Sequence, residues 1–272
     1  MTEAERHDDE LRARLASSGY DSPEFAEHYD RFRPAPPPAL LDLLPPLVGV
    51  ERPELVVDLG CGTGLSTRVW AERAERVVGV EPNAAMAAYA TEITDAPNVG
   101  YIGASAYETG LADGCADIVT ASQSLHWMRP ELVFPEIGRI LRRGGVLCAY
   151  EYFALATSNW ECDEAYLDVR RRTTALRAER GLTAASLWPI SVQRLDDGGV
   201  FAHTRELAVH SVEPGDGARL LGVALSEGRL QTLLADGATE DEVGLTRLRA
   251  AARLLPAPVP WWIGYRVWIG AR

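Results

Sequence analysis

Two carboxylates, Asp58 and Glu81, bracket a run of alternating glycines at 60, 62 and 64. Glycine at such positions lets the backbone turn tightly and approach a ligand with no Cβ in the way. A glycine triplet alone is a weak signal. The spacing adds information, because dinucleotide sites favour Gly-x-Gly-x-x-Gly and this loop is Gly-x-Gly-x-Gly. An acid just ahead of the first glycine would repel a pyrophosphate. It suits a cation such as the α-ammonium of an amino acid. Glu81 ends the next apolar run, where a carboxylate accepts from both hydroxyls of a ribose. Either acid alone reads as a solvated strand end or a helix cap. Together, with the glycines between them, they point to an adenosine carrying a cationic amino acid.

Such residues meet only if a sheet gathers them. From residue 55 the chain repeats strand, turn and helix: strands over 55–59, 76–81, 99–104, 116–121 and 146–152, and helices over 65–74, 83–93 and 130–141. Short apolar runs of this kind read as buried parallel strands, whose ligands sit at their carboxyl ends. Upstream, Ser22 caps a short helix carrying Phe25 and Tyr29, and a helix over 39–44 is interrupted by Pro45 and Pro46. The first 20 residues are polar. Downstream, a helix over 163–180 presents Tyr166, Val169 and Leu176 on one face, strands follow over 203–212 and 259–269, and a helix spans 240–254. The expected organisation is a flap and ligand-binding core over 1–152, a helical insertion over 153–200 acting as a substrate lid, and the rest of the core over 201–272.

Composition narrows the partners. The formal net charge of −12 argues against a nucleic-acid substrate. All 27 cations are arginine. No apolar run approaches a membrane span, and the polar start lacks a signal region, so a cytoplasmic protein with no membrane partner is expected. Cys61, Cys115, Cys148 and Cys162 show no metal-ligand spacing, and no metal is expected. The oligomeric state is left open.

The ordered set Tyr29-x-x-Phe32-Arg33-Pro34, Val57–Gly64, Val80-Glu81-Pro82-Asn83-x-x-Met86, Ser105-Ala106, Ser122-Gln123-Ser124-Leu125-His126-Trp127 and Leu141–Gly145 resembles the class I S-adenosylmethionine-dependent methyltransferases. Within them it is similar to the type-11, trans-aconitate-methyltransferase-like branch. The resemblance implies an α/β, Rossmann-like seven-stranded sheet with its last strand antiparallel, helices on both faces and a mainly helical cap. It implies S-adenosylmethionine as cofactor and S-adenosylhomocysteine as product. Asp58, Gly60, Cys61, Gly62 and Gly64 would hold the methionine part and Glu81 the ribose. Pro82, Asn83 and Met86 would line the adenosine, and Ser105 and Ala106 would meet the adenine. Gln123, Ser124 and Trp127 would border the methionine and its methyl, under a flap bearing Tyr29 and Arg33.

A small-molecule acceptor follows, methylated on a carboxylate or hydroxyl oxygen. A carboxylate needs a cation to hold it; a phenol, amine or acidic carbon gains from a general base. His126, Glu151 and Tyr152 are the candidates for catalytic groups. His126 reads equally well as a packing imidazole, and the other two as half-buried strand-end residues. Two alternatives stand beside this reading. One is a protein of the same fold that binds the cofactor but catalyses a cyclisation, and the other is an NAD(P)-dependent oxidoreductase.

Overall fold

The computed structural model describes residues 22–182 and 188–272, so the expectation for residues 1–20 lies outside the described residues. Seven strands form one sheet: β1 (Leu55–Leu59), β2 (Arg76–Val80), β3 (Val99–Ile102), β4 (Ala116–Ser122), β5 (Leu141–Ala156), β6 (His203–Gly215) and β7 (Val259–Ala271), in spatial order β3-β2-β1-β4-β5-β7-β6. β1 pairs in parallel with both β2 and β4, whereas β7 runs antiparallel to β5 and to β6. The expected class and the antiparallel last strand are therefore present. That strand is inserted between β5 and β6 rather than lying at the edge.

The order reverses between β1 and β4, which opens a crevice at their carboxyl ends. Every residue of β1 is buried, because helices cover both faces. On one face Leu55, Val57, Val119 and Leu147 pack under α5 (Pro130–Ile140) and α7 (Val192–Asp197). On the other, Val56, Ile118 and Cys148 pack under Leu40 and Leu44 of α2 (Pro38–Leu47) and under Trp70.

Several boundaries differ from the sequence reading, three of them instructive. Pro45 and Pro46 do not interrupt α2 but lie inside its last turn, where their carbonyls still accept from Val48 N, Gly49 N and Val50 N. The helix after the glycine loop, α3 (Leu65–Arg68), is a single turn. β5 continues four residues beyond 152 to Ala156, since β7 supplies it with a partner through Trp262. The long helix α6 (Trp160–Glu179) buries Tyr166 and Val169 against α8 (Gly217–Leu225), α9 (Gly228–Ala235) and α10 (Leu245–Ala252). The helical cluster above the sheet thus draws on two separated segments. Among the described residues, no helix is long and apolar enough to cross a membrane.

Candidate active site

The glycine loop follows β1 and folds back onto β2: the N–H groups of Gly60 and Cys61 donate to Val80 O at 2.8 and 3.2 Å. Its three glycines all adopt positive φ, yet they answer different demands. A Cβ at Gly64 would lie 2.2 Å from the Tyr101 hydroxyl, and one at Gly60 would lie 2.7 Å from Ser124 Cβ. Those two positions are closed by the fold itself. At Gly62 a Cβ would meet nothing within 4 Å, so the space there is left for something other than protein.

Glu81 is buried beside that space. Its Oε2 accepts from Gly62 N at 2.9 Å and its Oε1 from Asn83 N at 2.8 Å. Burial pushes its pKa up to about 7, against the lowering effect of those two amides. Asn83 caps α4 (Ala84–Ile93), its side chain accepting from Ala85 N and Met86 N. Asp58 has a different place. It is fully buried behind the loop, with Oδ2 accepting from Ser66 Oγ at 2.6 Å and Thr67 Oγ1 at 2.8 Å, and Oδ1 from Thr120 Oγ1 at 2.8 Å. Burial raises its pKa while the three hydroxyls oppose the shift. Asp58 ties the loop to the first turn of α3 and to β4, and it does not reach the cavity wall.

One cavity opens at the crevice. Of the residues singled out from sequence, Tyr29, Arg33, Gly60, Cys61, Gly62, Glu81, Pro82, Asn83, Met86, Ser105, Ala106, Gln123, Ser124, Trp127 and Tyr152 line it. Asp58, Gly64, His126 and Glu151 do not. Glu151 and Tyr152 are neighbours on β5 and so point to opposite faces of the sheet. Glu151 instead forms an ion pair with His126 Nδ1. His126 also holds the chain after the undescribed stretch, since its carbonyl accepts from Trp188 N at 2.9 Å.

Thr63, Tyr107 and Met128 line the cavity without having been singled out. Each is adjacent in sequence to a residue that was, which is the signal that would have found them. Thr63 Oγ1 and Gln123 Nε2 are buried with no hydrogen-bond partner among the described residues. Buried donors without partners are rare in a folded protein and mark places where a ligand completes the bonding. The other polar groups are engaged: Ser124 Oγ donates to Leu59 O at 2.6 Å, and Ser105 Oγ accepts from Tyr107 N at 3.2 Å.

Opposite the loop lies the end contributed by α1 (Pro23–Phe32) and the residues after it. The Arg33 guanidinium sits 4.7 Å from the centre of the Tyr29 ring and 5.6 Å from that of Tyr152. It donates to the Tyr152 hydroxyl, and through Nη2 to Ser226 O at 2.8 Å between α8 and α9. Among the described residues that line the cavity, Arg33 is the one cation. Burial raises the Tyr152 phenol to about 12, so it keeps its proton at neutral pH. Asp30, on α1, pairs with Arg68 at 2.6 Å, and Arg68 donates to Thr63 O at 2.6 Å. His28 Nε2 lies 3.0 Å from Gly222 O. One short helix thus straps the glycine loop to the helical cluster.

The residues present fit S-adenosylmethionine. The open space at Gly62, the carboxylate of Glu81 beside it and the unpartnered Thr63 hydroxyl are what a ribose joined to an amino acid would fill. The comparisons agree. Residues 57–149 match the family described as the methyltransferase domain. A methyltransferase of Mycobacterium bovis with no assigned substrate is 36% identical over 121 residues, which are 44% of this chain and 46% of that one. A malonyl-[acyl-carrier protein] O-methyltransferase of Pectobacterium atrosepticum is 34% identical over 109 residues, 40% of this chain and 41% of the relative. The matched stretch spans less than half the length of either curated relative. Among solved structures, one titled as a type II methyltransferase assigned by inference, from Anaeromyxobacter dehalogenans, is 26% identical with a TM-score of 0.64, covering 88% of this chain and 98% of that one.

Proposed function

We propose that this chain is a class I S-adenosylmethionine-dependent methyltransferase that methylates an oxygen of a small carboxylic acid. The observation that carries the reading is the makeup of the cavity wall at its acceptor end: a cation is present and a ready base is not. Arg33 supplies a charge-assisted donor for a carboxylate, and a carboxylate needs no proton removed before it attacks. Tyr152 holds its proton, and the His126–Glu151 pair faces elsewhere. A hydroxyl, amine or carbon acceptor would have to lose a proton with no group of the wall placed to take it. Glu81 belongs to the ribose end.

S-adenosylmethionine, when bound, supplies a methyl on sulfonium sulfur for in-line displacement. The protein's part is alignment and exclusion of water. Glu81 would accept from the ribose hydroxyls with the lone pairs its backbone partners leave free, and Thr63 would donate to the amino-acid part. Asn83, Met86, Ser105 and Ala106 would border the adenosine. Arg33, held between two aromatic rings, keeps the acceptor's charge within a dry wall, where its attraction is stronger than in water. The strap formed by α1, with the helical segment over 153–200 and the helices of 217–252, would close the acceptor end as a lid. One curated relative is named for O-methylation of a malonyl group on a carrier protein, which agrees with an oxygen acceptor.

The test is incubation of the purified chain with methyl-labelled S-adenosylmethionine and a panel of carboxylic acids, phenols and amines. Label in a base-labile methyl ester supports the reading. Label in an amine, or in a phenol ether alone, overturns it. Calorimetry showing no heat with S-adenosylhomocysteine would reject the cofactor as well.

A further inference from the structure

We propose that Gln123 reads the methyl acceptor, its carboxamide N–H donating to an oxygen of the carboxylate whose charge Arg33 balances. This rests on the carboxylate reading above and assigns a second recognition group to it.

Gln123 stands one residue past the end of β4, and its backbone is unusual. Among the described residues, two that are not glycine have positive φ: Gln123 at 54° and Ser158 at 64°. A side chain with a Cβ is strained there, and such strain persists only where the surroundings enforce it. At Gln123 the enforcing parts are visible. β4 pairs Ser122 with Tyr150, Gln123 N then donates to Tyr150 O at 2.9 Å, and the chain turns at once into the single 3-10 turn Leu125–Trp127. A sharp strand-to-helix elbow of this kind lifts one side chain above the carboxyl edge of a sheet. Here that side chain is a glutamine in the cavity wall, one step past the Ser122–Tyr150 pair and so opposite Glu151, the residue before Tyr152, on the neighbouring strand.

The strain brings no internal reward. Gln123 Nε2 is buried and has no hydrogen-bond partner among the described residues. A buried amide left unbonded is costly, and turning the carboxamide over leaves a different atom in the same position. A further unpartnered group of the wall, Thr63 Oγ1, lies inside the glycine loop. Gln123 stands beside the strand end that carries Tyr152, whose hydroxyl accepts from Arg33, and a donor and a cation together match the two oxygens of a carboxylate.

The experiment uses the full chain, S-adenosylhomocysteine as the cofactor probe and malonate as the carboxylate probe. Calorimetry gives the affinity of S-adenosylhomocysteine for the free protein, and of malonate for the S-adenosylhomocysteine complex. Thermal unfolding is recorded alongside. Gln123→Ala should leave S-adenosylhomocysteine affinity within about twofold and weaken malonate at least tenfold, the size of one lost bond to a charged group. Gln123→Gly should lose malonate equally while unfolding at the same or a higher temperature, because glycine accepts the positive φ.

Loss of S-adenosylhomocysteine affinity with malonate unchanged would overturn the proposal and move Gln123 to the cofactor. Unchanged malonate affinity with a lowered unfolding temperature in Gln123→Gly would overturn it in favour of a structural elbow. A wild-type complex that binds S-adenosylhomocysteine but no malonate overturns the carboxylate reading together with this one. A wild type that binds neither rejects the cofactor first.

Discussion

The two ends of the cavity are built on different plans. At the end proposed for the cofactor most polar groups are satisfied within the protein, Thr63 Oγ1 excepted: both oxygens of Glu81, three hydroxyls on Asp58, the hydroxyl of Ser124. Its residues come mostly from one stretch, 57–86, where consecutive strand ends fall side by side. At the end proposed for the acceptor, Arg33, Gln123, Tyr152 and Ser226 come from four distant segments, and a buried amide is left unbonded. A preorganised end suits a ligand that is always the same. An end assembled from separate segments can be altered piece by piece while the first stays intact, which is how one fold serves many acceptors.

The largest expected effect breaks that comparison into two independent losses. Glu81→Ala should weaken S-adenosylhomocysteine about 100-fold, since two bonds to a buried carboxylate are worth roughly 3 kcal/mol together. Arg33→Leu should leave that affinity within a few-fold and lower kcat/KM for the acceptor about 100-fold, with Arg33→Lys recovering part of it. Calorimetry and initial rates on both variants check the crossover. If Arg33→Leu weakened S-adenosylhomocysteine as much as Glu81→Ala does, the two ends would be one site.

A titration sharpens the cofactor end. Burial places the Glu81 carboxyl near pH 7 in the free protein, and a ribose donating to it favours the ionised form. Binding therefore expels a proton below pH 7, and affinity rises with pH until Glu81 is ionised. S-adenosylhomocysteine should bind about tenfold more weakly at pH 6 than at pH 8. Calorimetry across that range measures it, and Glu81→Gln should flatten the curve. For folding the sign is reversed: a carboxyl raised from 4.5 to about 7 contributes stability that is lost as pH climbs through that interval.

The same contrast explains what could be read from sequence. The cofactor end was legible because its chemistry is contiguous, and the glycine spacing with two acids excludes a pyrophosphate. Even there the place of Asp58, behind the loop, was not legible. Its partners Ser66, Thr67 and Thr120 turn the acid inward, and only the packing of α3 and β4 reveals that. Strand parity could have separated Glu151 from Tyr152, since neighbours on a strand cannot both face one cavity. The strain at Gln123 had no sequence signal, because glutamine does not announce a left-handed turn. The cap was half legible: a helix over 163–180 was expected and runs from Trp160 to Glu179, while its packing against 217–252 depends on contacts far apart in the chain.

The glycines give a smaller effect. Gly64→Ala should lower stability by about 2 kcal/mol, through both the positive φ and the collision with Tyr101. Gly62→Ala should cost about 1 kcal/mol for its positive φ alone and yet weaken S-adenosylhomocysteine more than Gly64→Ala does. Chemical denaturation and calorimetry on both variants give the two orders. Equal losses of stability would mean that the space at Gly62 is not reserved for a ligand.

The smallest expected effect tests where the acceptor end stops. The His126–Glu151 pair lies off the cavity wall with side chains 18% and 28% exposed, so a partly solvated pair of this kind is worth under about 1 kcal/mol. His126→Gln keeps a donor near Glu151 and should leave both S-adenosylhomocysteine affinity and acceptor turnover within threefold of wild type. His126→Ala removes the ring that stands 5.3 Å from Trp127, a residue of the wall, and should raise the acceptor KM a few-fold with little change in kcat. Steady-state kinetics on the two variants separates a support for Trp127 from a base. A 100-fold fall in kcat for both, with acceptor binding intact, would bring His126 into the chemistry and extend the acceptor end across the sheet to the face that carries Glu151.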